Sequence, residues 1–219
     1  MPYLGVMFRL LSATAILIAT TANAHPHIFV GVGVTIVYDN DAPVAVRLDW
    51  QYDEYFSLLL TTDLGIDTDG DMVLTAAEDA VLFEAVANWP ADFGGDLEVS
   101  QNGQAATLSA RTQHGVVMEN GIIRETHTRP IAALPDPSAP LTVQVYDPFY
   151  YVSYSVDGPV KIEGRDDCTA TIDPPDLNTA YSLVEELLYG RPASDVGPEE
   201  DFPAVGISFA ETITITCAG

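Results

Sequence analysis

The sequence predicts an α+β protein: a mostly antiparallel β-sheet interrupted by a helix-loop-helix, EF-hand-like insertion and followed by one later helix. Three observations lead there. Runs of alternating apolar and polar residues recur along most of the chain. Two of the segments carry Asn-Gly between their apolar runs, the strongest short hairpin signal. Two stretches of helical spacing flank an acidic loop at 67–78.

Taken in order, IFVGVGVTIVYD (28–39) alternates as a strand, 39–43 (DNDAP) turns the chain, and VAVRLDWQYD (44–53) returns it. EYFSLLLTTDLG (54–65) reads as a short helix and AAEDAVLFEAVANW (76–89) as a firmer one, stopped before Pro90. Two hairpins are expected over 97–110 and 115–128, turning at Asn102-Gly103 and Asn120-Gly121. LTVQVYDPFYYVSYSV (141–156) and CTATID (168–173) continue the strand pattern. NTAYSLVEELLYG (178–190) is the later helix, with Gly190 as its cap, and GISFAETITITC (206–217) is the final strand.

The first residues read as a secretory signal peptide. LLSATAILIATTA (10–22) is uncharged, Arg9 precedes it, and Ala22-Asn23-Ala24 is a small-x-small cleavage site; Met7 offers a tighter alternative start. The expected organisation is a signal peptide at 1–24 and a single domain at 25–219, with the insertion at about 54–89. The mature chain is then exported, with no transmembrane helix left after cleavage.

Charge excludes one class of partner. Against 32 Asp and Glu stand 8 Lys and Arg, so the clustered cations that bind phosphate backbones are missing and nucleic acid is not expected. The two cysteines, Cys168 and Cys217, suit one disulfide in an oxidising compartment.

Residues 67–78, DTDGDMVLTAAE, follow the spacing of a calcium loop. Calcium is a hard ion that takes six to eight oxygens. Here Asp67, Asp69, Asp71, the Val73 carbonyl, Thr75 (through water) and Glu78 would supply them, at loop positions 1, 3, 5, 7, 9 and 12. Position 6 departs from the pattern. The loop needs a positive φ there, usually from Gly, and this chain has Met72, at a cost on the order of 1 kcal/mol. The same residues also permit a plainer reading, with Thr75 as a helix N-cap and Glu78 as its capping-box partner.

Cleavage after Ala24 would place His25-Pro26-His27 at a new N-terminus. The α-amine and ring of His25, with the ring of His27, then form a nitrogen set suited to Ni²⁺, Co²⁺, Zn²⁺ or Cu²⁺. Pro26 has no N–H to deprotonate, which blocks the mode that uses backbone amides. Further ligands could come from His114, His127 or an acid such as Asp53. No G-x-S-x-G elbow, phosphate loop or dinucleotide fingerprint is present.

Five stretches in order, AHPHIFV, LDWQYDEYFS, DTDGD, VYDPFYYVSYSV and FAETITITC, resemble an uncharacterised bacterial periplasmic family, domain of unknown function 1007. That family is often labelled the periplasmic component of an ABC-type transport system. The resemblance implies a periplasmic location and association with a nickel/cobalt-type inner-membrane permease. It also marks Asp147 and Tyr150 as motif members, Asp147 being a further candidate ligand. The resulting expectation is a non-enzymatic metal-binding accessory or delivery protein with a structural calcium loop. Its rivals are a structural or interaction module held by calcium and the disulfide, and a copper histidine-brace oxidase.

Overall fold

The computed structural model describes residues 26–90, 93–136, 139–191 and 202–218. The expected signal peptide, His25 and most of the acidic stretch 191–203 lie outside the described residues.

The chain is α+β, with two sheets that share one core. Strands β1 (Ile28–Asp39) and β2 (Ala42–Tyr52) form the first hairpin. Helices α1 (Glu54–Leu64) and α2 (Ala76–Ala87) follow it. Next come β3 (Leu97–Gln101), β4 (Gln104–Ala105), β5 (Thr107–Leu108), β6 (Thr112–Glu119) and β7 (Ile122–Ala133). Strands β8 (Leu141–Val145), β9 (Val152–Val156), β10 (Lys161–Glu163) and β11 (Cys168–Asp173) lead to α3 (Leu177–Leu187) and β12 (Thr212–Cys217).

The larger sheet runs β1-β2-β7, with β5 and β6 on β7 and both β9 and β10 on the other side of β1. The smaller has the order β11-β12-β8-β3-β4. All pairings are antiparallel except those of β1 with β9 and β10, which are parallel.

Alternation explains how the sheets meet. Val30, Val32, Val34 and Ile36 of β1 point one way, as period-two geometry requires, and all are buried. They join Val46, Leu48 and Trp50 of β2, and Val99, Leu141, Val143, Ile213 and Ile215 of the smaller sheet, in one cluster. Each such side chain contributes about 1.5–3 kcal/mol by leaving water.

Both Asn-Gly dipeptides occupy left-handed conformations, φ 50° and 73° at 102–103 and φ 53° and 78° at 120–121, as the tight hairpin turn demands. Two expected strands prove different. VYDPFYYVSYSV is broken at 147–151, with β8 in one sheet and β9 in the other. The segment 206–209 is a 3-10 turn, and the last strand begins only at Thr212.

Helix α1 is set by its ends. Asp53 caps it by accepting from the Phe56 N–H at 2.8 Å, and Gly65 closes it at φ 65°. Its buried side chains are Ser57 and Thr61, while Tyr55, Leu58 and Leu59 are exposed. A small residue lets the helix lie close on β7, where Ser57 Oγ accepts the Ile123 N–H at 3.1 Å. Among the described residues, no helix is long and apolar enough to cross a membrane.

Candidate functional site

The loop between α1 and α2 is organised from its first residue. Asp67 Oδ1 accepts the Met72 N–H at 3.0 Å, and Asp71 Oδ1 accepts the Val73 N–H at 2.8 Å. Met72 stands at φ 63°, so the backbone takes the left-handed turn without a glycine. Asp67, Asp69 and Asp71 each bring a carboxylate oxygen within 4.8 Å of the other two. Among the described residues, no other group of three or more His, Cys, Asp or Glu gathers its ligand atoms this closely.

Glu78 reaches back over the loop. Its Oε1 accepts the Asp67 N–H at 2.9 Å, and its Oε2 accepts the Thr75 N–H at 2.9 Å and the Thr75 hydroxyl at 2.8 Å. Hydrogen bonds from Thr75, then from Asp67, hold its carboxyl below the ordinary range. Thr75 and Glu78 thus complete a capping box at the start of α2. The cap and the ion-ligand readings share the same side chains.

His27 lies elsewhere. It is exposed at the start of β1, its N–H donates to Tyr151 O at 2.9 Å, and its ring sits 4.6 Å from that of Tyr151. The register keeps the other described histidines away from it. His127 pairs with Leu48, which pairs with Val34, seven positions along β1 from His27. That is about 23 Å of strand. His114 meets Glu125, aligned through Trp50 with Val32, about 16 Å along β1 from His27. Asp53 is closer, but its Oδ2 accepts the Phe29 N–H and its Oδ1 caps α1, both at 2.8 Å.

The five ordered stretches can now be set beside the known proteins. The family model described as "Protein of unknown function (DUF1007)" matches residues 10–217. The chain belongs to the DUF1007 family. No curated protein and no solved structure matches it.

In this DUF1007 protein Asp147 and Tyr150 acquire a structural role. Asp147 Oδ1 accepts the Phe149 N–H at 3.0 Å, and its Oδ2 accepts the N–H groups of Tyr151 at 2.8 Å and Val152 at 3.0 Å. The carboxylate therefore builds the turn that carries the chain from one sheet to the other. Tyr150 stacks on Phe209, centroids 3.8 Å apart. Gly206 donates to Pro148 O at 2.8 Å and approaches so closely that a Cβ would stand 1.7 Å from Asp147 O. Only glycine fits there.

A buried polar cluster on β7 was not expected from the sequence. Glu125 is 1% exposed and His127 is fully buried. Glu125 Oε1 accepts from Arg111 Nη1 at 3.1 Å, and Oε2 accepts the Tyr52 hydroxyl at 3.1 Å. His114 Nε2 stands 3.2 Å from Oε1 without hydrogen-bond geometry. The His127 ring lies 4.7 Å from Trp50 and 4.8 Å from Trp89, nearly perpendicular to both.

Burial pushes the Glu125 carboxyl up to about 7, against the pull of Tyr52 and Arg111. Burial, helped by Arg111, Arg129 and His114, lowers His127 to about 3, so it is neutral. Arg111 also lies over the Trp89 ring at 3.8 Å. The Arg111 guanidinium supplies the cation that Glu125 needs, and a metal ion at the same oxygen would face that charge directly. The available signal was the alternation Ile123, Glu125, His127, Arg129 down one face of a strand.

Proposed function

We propose that this DUF1007 protein is an exported metal-binding protein whose EF-hand-like loop 67–78 takes calcium. The ion would fix the helical insertion against the sheet. The observation that carries this reading is the gathering of the Asp67, Asp69 and Asp71 carboxylates in a loop whose sixth residue donates its N–H to the first. In the same reading the mature terminus, with the amine and ring of His25 and the ring of His27, takes Ni²⁺, Co²⁺, Zn²⁺ or Cu²⁺ and serves a membrane permease for that ion. His27 favours this role by being exposed at the first edge of β1.

A second reading rests on Asp53 and Asp147, whose oxygens are already committed to backbone N–H groups. If neither can join His27, the protein is a structural or interaction module stabilised by calcium and the disulfide.

Native mass spectrometry of the untagged protein recovered from a periplasm tests both. A chain starting at His25 that holds one calcium and one transition metal supports the proposal. Calcium alone, after incubation with Ni²⁺, Co²⁺, Cu²⁺ and Zn²⁺, leaves the module. No calcium at millimolar concentration overturns the loop assignment.

A further inference from the structure

The two tryptophans, Trp50 and Trp89, line one cleft of about 650 Å³. Its floor comes from β1, β2, β7 and β9, its sides from α1, α2 and the segment leading into β3, and its rim from the Asp147 turn. Aromatic rings form a continuous belt around it. Trp50 is 5.4 Å from Tyr154, 5.9 Å from Trp89 and 6.4 Å from Tyr52. Tyr52 continues to Phe56 at 5.1 Å, and Trp89 to Phe93 at 4.8 Å.

Three carboxylates face this apolar space: Asp96, Glu125 and Asp147. Their positions in the hydrogen-bond network differ. Glu125 has Arg111, and Asp147 has three backbone N–H groups. Asp96 has the Tyr154 hydroxyl on Oδ2 at 2.7 Å and, among the described residues, no cation. Burial pushes its carboxyl up to about 6, opposed by the Tyr154 hydroxyl and reinforced by Asp147. A partly buried acid with aromatic walls and no counter-ion selects for a particular ligand charge.

We propose that the cleft binds a small organic cation, a methylated ammonium ion, with Asp96 as counter-charge and the belt from Phe56 through Trp50 to Phe93 as its walls. The chemistry excludes the neighbouring classes. A hard metal ion needs several oxygens at once, and among the described residues the cleft offers one carboxylate without a cation or backbone N–H partner, in apolar surroundings. A neutral apolar guest would fill the space but leave Asp96 further desolvated and unpaired. A methylated ammonium is weakly hydrated, spreads its charge over carbon, and is attracted by the negative faces of aromatic rings. This inference is independent of the calcium loop and of the histidine terminus.

Because both tryptophans line the cleft, intrinsic fluorescence of the full exported protein reports on it directly. Choline and its uncharged isostere 3,3-dimethylbutan-1-ol would be titrated into the wild type and Asp96→Asn. Asn is chosen because Asp96 sits at φ 49°, a conformation Asn tolerates, and because its carbonyl can still accept from Tyr154. A matching melting temperature shows that the variant folds. Choline should give a saturable change in the wild type, weakened roughly tenfold or more by Asp96→Asn and by the uncharged isostere. No saturable response to choline through the millimolar range, an equal response to the isostere, or unchanged affinity in folded Asp96→Asn would each overturn the proposal.

Discussion

Asp67 accepts the N–H of Met72 across the acidic loop at 3.0 Å, and Met72 holds φ 63° to make that bond. A side chain with a Cβ thus sits where the turn would suit glycine, at a cost of about 1 kcal/mol. Met72→Gly should remove that cost, which the loop carries before any ion binds, and stabilise the fold by at most about 1 kcal/mol. Scanning calorimetry without calcium checks this. Stability unchanged or reduced would show that the Met72 side chain, which also lies against Gly121 of the β6–β7 turn, contributes more than its backbone costs.

Glu78→Gln separates the proposed ion-ligand role of Glu78 from its role in the helix cap. A glutamine can keep the capping box, since its carbonyl oxygen still accepts from Thr75. It cannot offer calcium a bidentate charged group, so affinity should fall by roughly tenfold or more. Without calcium the variant should lose only the bond from Asp67 N–H, which the amide nitrogen cannot accept, so stability should fall by about 1 kcal/mol. The calcium-induced rise, which corresponds to about 2.7 kcal/mol at a hundredfold excess over Kd, should shrink. A large loss of stability in the calcium-free variant would instead make Glu78 chiefly a cap.

The Glu125 and His127 pair gives stability two opposed pH slopes. Glu125 is raised from 4.5 to about 7, so the folded state holds more protons in that window. Its contribution is fullest below 4.5 and is lost as pH rises towards 7. His127 is lowered from 6.5 to about 3, so its penalty is felt below 6.5 and stability climbs with pH there. Denaturant titrations of Glu125→Gln should therefore show stability relative to wild type improving from pH 4.5 to 7. His127→Asn should improve relative to wild type in the other direction, as pH falls below 6.5. Parallel curves for wild type and Glu125→Gln would mean that Glu125 stays ionised throughout.

Cys168 and Cys217 face each other across β11 and β12 and are joined. Their separation of 49 residues makes reduction worth about 4 kcal/mol in the chain-entropy account. The double Cys→Ser variant should melt correspondingly lower, measured by calorimetry. A loss under about 1 kcal/mol would show that the unfolded chain already keeps these strands near each other.

The first hairpin, both Asn-Gly turns and the two helices around the loop were legible because their signals are local, whereas β10 and the crossing of Thr107–Leu108 to the larger sheet were not. Alternation, a turn dipeptide and a cap residue each act within a few positions. The break at Asp147 was not, because VYDPFYY keeps a strand-like composition while its turn is built by one carboxylate and clasped by Gly206 from far along the chain. Nor was the packing of α1, where Ser57 and Thr61 are buried, Leu60 and Leu64 pack only partly against the core, and Leu58 and Leu59 are exposed. Close approach to β7 outweighed side-chain apolarity. The gathering of Asp67, Asp69 and Asp71 was legible from their spacing. The Glu125 cluster was not, since its partner Arg111 comes from outside the strand and only the register of β6 and β7 brings His114 near.

The strands nearest the two ends of the described chain are both interior. β1 has β2 on one side and β9 and β10 on the other, while β12 lies between β11 and β8. The smaller sheet therefore cannot close without β12. Until residues 212–217 are available, β8 and β11 have no common neighbour, and the shared core lacks Ile213 and Ile215. Removing β1 or β12 opens a sheet down its middle instead of fraying its edge.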